Sequence, residues 1–246
     1  PPRSTLFPYT TLFRSVALIM PDDEPILEAR ELGRCVPATN RWLLQHVSLK
    51  VAAGERIVVV GPSGSGKTLL LRSLAYLDPL DAGTLYWRGH AVARHAVPRF
   101  RSRVVYLHQR PSLIAGTVAE NLQYPFQFSV HRPRQFDATQ IEHWLRDLRR
   151  EPDFLQKSSR DLSGGEAQIT ALLRAMQLAP DVLLLDEPTA ALDPASAQGV
   201  EQCVSQWFQQ APQQRTIVWV SHDQEQAARM ADRRLVMAAG RIVQGA

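Results

Sequence analysis

Ile57-Val-Val-Val60-Gly61-Pro-Ser-Gly-Ser-Gly66-Lys67-Thr68-Leu69-Leu-Leu71 is the stretch that decides the fold. Four β-branched residues in a row read as a fully buried strand. Leu69, Leu70, Leu71 and Leu74 fall at helical spacing and predict a helix over 67–77, broken by Pro79 to Gly83. The turn between them fits G-x-x-x-x-G-K-[ST] in the strand-to-helix setting that this motif requires. Its glycines let successive N–H groups and the helix start face an anion, and Lys67 adds a point charge for the β/γ-phosphates. The Thr68 hydroxyl is placed to ligate Mg²⁺. Gly61, Pro62, Ser63, Gly64, Ser65, Gly66, Lys67, Thr68 and Leu69 are therefore the first candidate binding residues. Alone, the motif specifies a nucleoside triphosphate and nothing further.

Working outward, residues 26–60 alternate apolar and polar positions and predict two or three strands, with Gly54-Glu55 as the turn into the last. Val104–Leu107 predicts another strand. Residues 117–160 lack β-rich runs, carry Ile141, Trp144, Leu145 and Leu148 at helical spacing, and read as a helical insertion. From 162 onward the pattern alternates: a helix over 165–178, a strand at 182–185, a helix near 195–210, a strand at 216–220, a helix at 223–231 and a strand pair over 234–243. Helices alternating with buried strands imply an α/β fold with a mainly parallel sheet covered on both faces.

Val182-Leu-Leu-Leu-Asp186-Glu187-Pro188 puts two acids at the C-terminal end of a buried strand, where such sheets bind ligands. Asp186 is expected in the Mg²⁺ shell, and Glu187 is placed to polarise water toward the γ-phosphate. Leu162-Ser-Gly-Gly-Glu166, at the start of a helix, offers a second anion site from a serine hydroxyl and two glycine N–H groups. The same string is a capping box, and both readings hold together.

With these three strings in this order, the chain resembles the nucleotide-binding subunit of ATP-binding-cassette (ABC) transporters over residues 26–246. The resemblance implies a P-loop NTPase (RecA-like) core, an N-terminal antiparallel β part and an inserted helical subdomain at about 111–165, all in a single ABC ATPase domain over 16–246. It implies ATP and Mg²⁺ as cofactors. Ser163, Gly164 and Gly165 then cap the γ-phosphate held by the Lys67 loop of a second copy, in a head-to-tail dimer with two ATPs sandwiched between subunits. Gln109 looks like the Q-loop glutamine that reaches the metal and the attacking water. Asp193 in Ala191-Leu192-Asp193 looks like the D-loop residue, and His222 in Val220-Ser-His222-Asp like the switch histidine. The resemblance further implies an integral membrane permease as partner, no nucleic acid, and a cytoplasmic protein peripheral on the inner face of the bacterial cell membrane. Thr117-Val-Ala-Glu-Asn-Leu-Gln-Tyr-Pro-Phe-Gln127 is most similar to the ATPases of bacterial iron-export systems. A soluble ABC ATPase of a non-transport assembly, such as an iron–sulfur scaffold complex, shares these motifs and stays open as the alternative. A plain P-loop kinase is disfavoured because it needs no Ser163 turn.

Two positions depart from the family pattern. The aromatic that usually stacks on adenine would fall near Gly33-Arg34-Cys35, where none exists; Arg34 or a shifted Trp42 are the substitutes, with Trp42 read first as a packing residue. After the signature, Gln168-Ile169 stands where the family commonly has Gln-Arg.

Composition sets the outer bounds. At 246 residues, 45% apolar and 21% charged, the chain reads as an ordinary globular protein. Cys35 and Cys203 stand far apart, which excludes a disulfide scaffold or zinc knuckle. No run of about 18 apolar residues exists to cross a membrane. His46, His90, His95, His108, His131 and His143 lack ligand spacing and read as surface or incidental, and the arginines from Arg99 to Arg110 as a solvated face. Thr5 to Ser15 are similar to the in-frame translation of a widely used sequencing-adapter oligonucleotide. Residues 1–15 are therefore set aside, with a start at Met20 or upstream. Doing so removes Arg3 and Arg14 and no acid, leaving 26 basic residues against 24 acidic ones.

Overall fold

A computed structural model describes residues 24–131 and 134–245, with side chains through 243; the expectations for residues 1–15 and for a start at Met20 lie outside them. The chain opens with the strands β1 (Leu27–Val36), β2 (Arg41–Val51) and β3 (Arg56–Val60), and α1 (Lys67–Leu74) follows directly. β4 (Ala82–Trp87), β5 (His90–Ala91) and the short helix α2 (Val97–Arg101) lead to β6 (Val104–Leu107). The insertion carries α3 (Val118–Gln123) and α4 (Ala138–Asp147) with 3-10 turns between and after them. Then come α5 (Gly164–Met176), β7 (Val182–Asp186), α6 (Pro194–Gln209), β8 (Thr216–Val220), α7 (Gln224–Met230), β9 (Arg233–Ala238) and β10 (Arg241–Gly245).

The strands form two sheets. A six-stranded sheet runs β10-β9-β3-β8-β7-β6, parallel throughout except for the β9/β10 hairpin. A four-stranded antiparallel sheet runs β2-β1-β4-β5. The period-2 pattern explains how the central strands are buried on both faces. Val58, Leu183, Leu185, Ile217 and Trp219 point into a core shared with the helical insertion, α5 and α6. Ile57, Val59, Val182, Leu184 and Val218 point into a second core, shared with α1 and the antiparallel sheet.

Register brings the chemistry to one edge. Val59 pairs with Val220, and Asp186 also pairs with Val220, so the C-terminal ends of β3, β8 and β7 lie side by side. The α/β reading and the parallel sheet stand. Sequence reasoning missed β4, β5 and α2. Leu85 is the one residue of β4 that is fully buried, so the strand carries too little alternation to be read. The insertion begins and ends where Gly116 and Thr117 meet Ser158 and Ser159: Val118 N–H donates to Lys157 O and Ser159 N–H to Gly116 O. α5 starts at Gly164 and packs in the same core as Ile141, Trp144 and Leu145 of the insertion.

α6 is fastened to the end of α5 by Trp207, which is fully buried and donates its indole N–H to the Met176 carbonyl at 3.1 Å. Trp207→Ala leaves a cavity and removes one of the two donors to the Met176 carbonyl, which keeps the Ala179 N–H, and should cost about 3–5 kcal/mol of unfolding free energy by urea titration. Loss below 1 kcal/mol, well short of that range, would show that α6 is held elsewhere.

Candidate active site

The loop after β3 is shaped by close approach. Gly61 has φ 150°, and a Cβ there would sit 2.2 Å from the Met237 carbonyl oxygen, so no other residue fits. The Gly240 N–H donates to Ser65 O at 2.9 Å, which pins the loop to the β9/β10 hairpin. α1 begins at once, with Gly66 as its N-cap. Lys67 is buried and its ammonium donates to the Gly61 and Pro62 carbonyls at 2.9 and 3.0 Å. The ammonium is thus held at the centre of the loop, while Pro62, Ser63, Gly64 and Thr68 face solvent.

Asp186 closes β7 with 1% of its surface exposed. Its Oδ2 accepts from the Tyr106 hydroxyl at 2.9 Å, its one side-chain hydrogen bond among the described residues. Burial, and next the Asp186 charge, push the Tyr106 phenol above its ordinary pKa, so it stays a donor. Tyr106 was not singled out from sequence; a phenol inside a buried strand, three residues before Gln109, was the available signal.

Glu187 follows in a left-handed conformation, φ 47°, uncommon for a side-chain-bearing residue and costly unless the surroundings impose it. Its N–H donates to Val220 O at 3.2 Å, tying it to the end of β8. The carboxylate Oε2 accepts from Gln109 Nε2 at 2.8 Å and lies 3.6 Å from His222 Nδ1. Gln109, Glu187 and His222, read from three separate strings, therefore converge on one oxygen.

The Ser163 turn is elsewhere. Ser163 Oγ accepts from the Glu166 N–H at 3.2 Å, and Glu166 Oε2 accepts from the Ser163 N–H at 2.9 Å, the capping box expected from sequence. Gly165 packs on Ala191 and Leu192: a Cβ would meet Leu192 Cδ2 at 2.8 Å. No hydrogen bond among the described residues joins this turn to the Lys67 loop. Asp193 is an N-cap of α6, its Oδ1 accepting from the Ala195 and Ser196 N–H groups at 3.1 and 3.0 Å. Its visible role is structural.

Several expectations need correction. His131 is buried rather than at the surface, and burial lowers its pKa. Arg34 is tied to Asp81 at 2.8 Å, and Asp81 also accepts the Cys35 N–H. Trp42 packs on one side only: it lies over Gly33, where a Cβ would come within 2.6 Å, and remains 41% exposed. Ile169, in place of the family's arginine, enters the core at 1% exposure. Arg103, in the solvated arginine face, pairs with buried Asp181 at 3.5 Å. Buried Asn121 was also missed: it accepts the Ile114 N–H at 2.9 Å and donates to the Ile114 and Thr117 carbonyls, anchoring the segment after Gln109 to α3.

A lysine wrapped in its own glycine loop, two strands from a buried aspartate at the C-terminal edge of a parallel sheet, handles the phosphates of a nucleotide. The protein is a P-loop ATPase. The profile of the family described as "ABC transporter" matches residues 44–190, and the chain belongs to that family. It is 33% identical over 207 residues to "Probable iron export ATP-binding protein FetA" of Escherichia coli (strain K12), covering 84% of this chain and 89% of that protein. It is 35% identical to a phosphate import ATP-binding protein of Natronomonas pharaonis, covering 82% and 74%. Among solved structures, a dimeric bacterial ABC transporter cassette shares the fold with TM-score 0.78 at 24% identity, covering 89% of this chain and 97% of that one.

The signature turn carries a pH dependence. The Lys157 ammonium at 2.8 Å, and next the Ser163 N–H, hold the Glu166 carboxyl at about 2, below its ordinary 4.5. A carboxyl depressed on folding stabilises the folded chain above the ordinary value and stops doing so as pH falls through the depressed one. The difference in melting temperature between wild type and Glu166→Gln should therefore be largest above about pH 5 and close toward about pH 2. A gap that does not change with pH would show that the charge contributes nothing.

Proposed function

We propose that this ATPase works as a head-to-tail pair that drives a separate membrane permease. The observation that carries the reading is the meeting of Gln109, Glu187 and His222 on one carboxylate oxygen at the sheet edge that also bears the Lys67 loop. Two anion cradles that do not meet within one chain support a dimer in which Ser163, Gly164 and Gly165 of one copy face the ATP held by Lys67 of the other. The dimeric form of the cassette with the same fold supports it too.

The roles follow from position. Residues Gly61 to Leu69 cradle the phosphates with backbone N–H groups and the Lys67 charge. Glu187 accepts a proton from the attacking water, Gln109 orients that water, and His222 donates toward the γ-phosphate. Mg²⁺, when bound, neutralises phosphate charge. Thr68 and Asp186, with Gln109 nearby, would hold it, and their donor set fits: magnesium commonly takes one or two protein oxygens and completes its shell with phosphate and water. Catalysis then rests on positioning and preorganised charge rather than on covalent chemistry. Trp42, adjacent to the Leu43 carbonyl that lies beside Gly66, is the aromatic available for adenine.

Glu187→Gln should retain ATP binding, form an ATP-dependent dimer on size exclusion, and lose on the order of 10²–10⁴-fold in kcat. Wild-type turnover in that variant would reject Glu187 as the base.

Among described residues no helix is long and apolar enough to cross a membrane, and this reading places the permease outside them. The ATPase then sits at the cytoplasmic face of a bacterial membrane. The cargo is metal, with iron export as the particular case, supported by the segment Thr117 to Gln127 and by the iron-export relative. Proteoliposomes holding the chain and its permease should move Fe²⁺ on ATP addition and leave phosphate in place. Phosphate movement would reverse the assignment, and a soluble partner with no lipid dependence would favour the scaffold-assembly alternative.

A further inference from the structure

Gln226 lies in the first turn of α7, almost fully buried, and its side-chain amide makes all four hydrogen bonds open to it. Oε1 accepts from the Trp219 indole N–H at 3.2 Å and from the Ser221 hydroxyl at 2.8 Å. Nε2 donates to Thr189 Oγ1 and to Glu201 Oε1, both at 2.9 Å. The orientation is fixed by the partners, since an indole only donates and a carboxylate only accepts.

Two of the four partners adjoin the site. Ser221 immediately precedes His222, and Thr189 follows Glu187 by two residues. The other two are anchors: Trp219 is fully buried on β8, and Glu201 on α6 is clamped by Arg229 Nε at 3.1 Å. Only a neutral amide can accept twice and donate twice here. A carboxylate would set a second negative charge beside Glu201 and lose the donor to Thr189, and an aliphatic chain would strand the buried Trp219 indole N–H and cut the link to half-buried Thr189.

We propose that Gln226 is a positioning residue for ATP hydrolysis, its amide fixing the loop that carries His222 against the loop that carries Glu187. It thereby sets the 3.6 Å approach of His222 Nδ1 to Glu187 Oε2. This rests on the roles given above to Glu187 and His222. Gln226 itself touches no reacting atom.

The test compares Thr189→Val and Gln226→Leu, singly and together, with wild type and Glu187→Gln as references. Each single variant should lose on the order of tenfold to a hundredfold in kcat, the size expected when catalytic groups are slightly misplaced. KM and the affinity for a fluorescent ATP analogue should stay within about twofold, because phosphate contacts are untouched. The double variant should fall no further than the worse single one, since both cut the same link. Losses that multiply, or a Thr189→Val enzyme with wild-type kcat, overturn the inference. Should Gln226→Leu not fold, Thr189→Val decides alone by its split between kcat and KM. Wild-type turnover in Glu187→Gln would instead defeat the reading of the site, whereas its loss beside full turnover in Thr189→Val removes only the link.

Discussion

The structure depends on the in-register parallel pairing of β3, β8 and β7. Parallel strands need crossover connections, and the helices that provide them cover both faces. That requirement explains why the central strands are continuous apolar runs and why each carries its chemistry at or just past its last residue. Gly61 follows β3, Asp186 ends β7, and Ser221-His222 follows β8. Because Val59 and Asp186 share Val220 as a cross-strand neighbour, three segments far apart in sequence emerge together. A slip of one residue in either pairing would reverse which side chains face each core and would separate Glu187 from His222.

Much of this was legible in sequence because the decisive residues act through local chemistry. Gly61 is specified by its own backbone, Ser163 and Glu166 by a cap three residues long, and Asp186 by the end of an apolar run. What was not legible depends on distant partners. β4 is a strand because β1 pairs with it, and Leu85 alone marks its inner face. Arg34 is paired because Asp81 lies across the turn, and His131 is buried although nothing beside it in sequence marks it so. Gln226 sits in a polar stretch, Asp223-Gln-Glu-Gln226, where nothing local separates the buried glutamine from its exposed neighbours.

The same division of labour bears on cargo. The iron-export and the phosphate-import relatives match this chain at 33% and 35% identity, nearly the same degree. Overall identity of that degree therefore does not separate export from import. The helical insertion lies between Gln109 and the Ser163 turn. Its two ends are tied to each other by β-type bonds at Thr117 and Ser158, and it presents Phe128 and Val130 to solvent. Asn121 holds Ile114, five residues beyond Gln109, against α3.

Buried polar groups are a costly way to build a core, since each must find a partner to offset lost hydration. Apolar side chains filling the space between β8, α6 and α7 would be no less stable in principle. The chain instead spends an amide, an indole N–H, two hydroxyls and an ion pair there, beside a glutamate held at φ 47°. A left-handed glutamate persists only if its surroundings over-determine it. Apolar packing is tolerant of small displacements, whereas hydrogen bonds with fixed donors and acceptors lose their strength within a fraction of an ångström. A directional network next to Thr189 and Ser221 is therefore suited to fixing where two loops stand relative to each other. That is the property a site needs when its chemistry is done by placement.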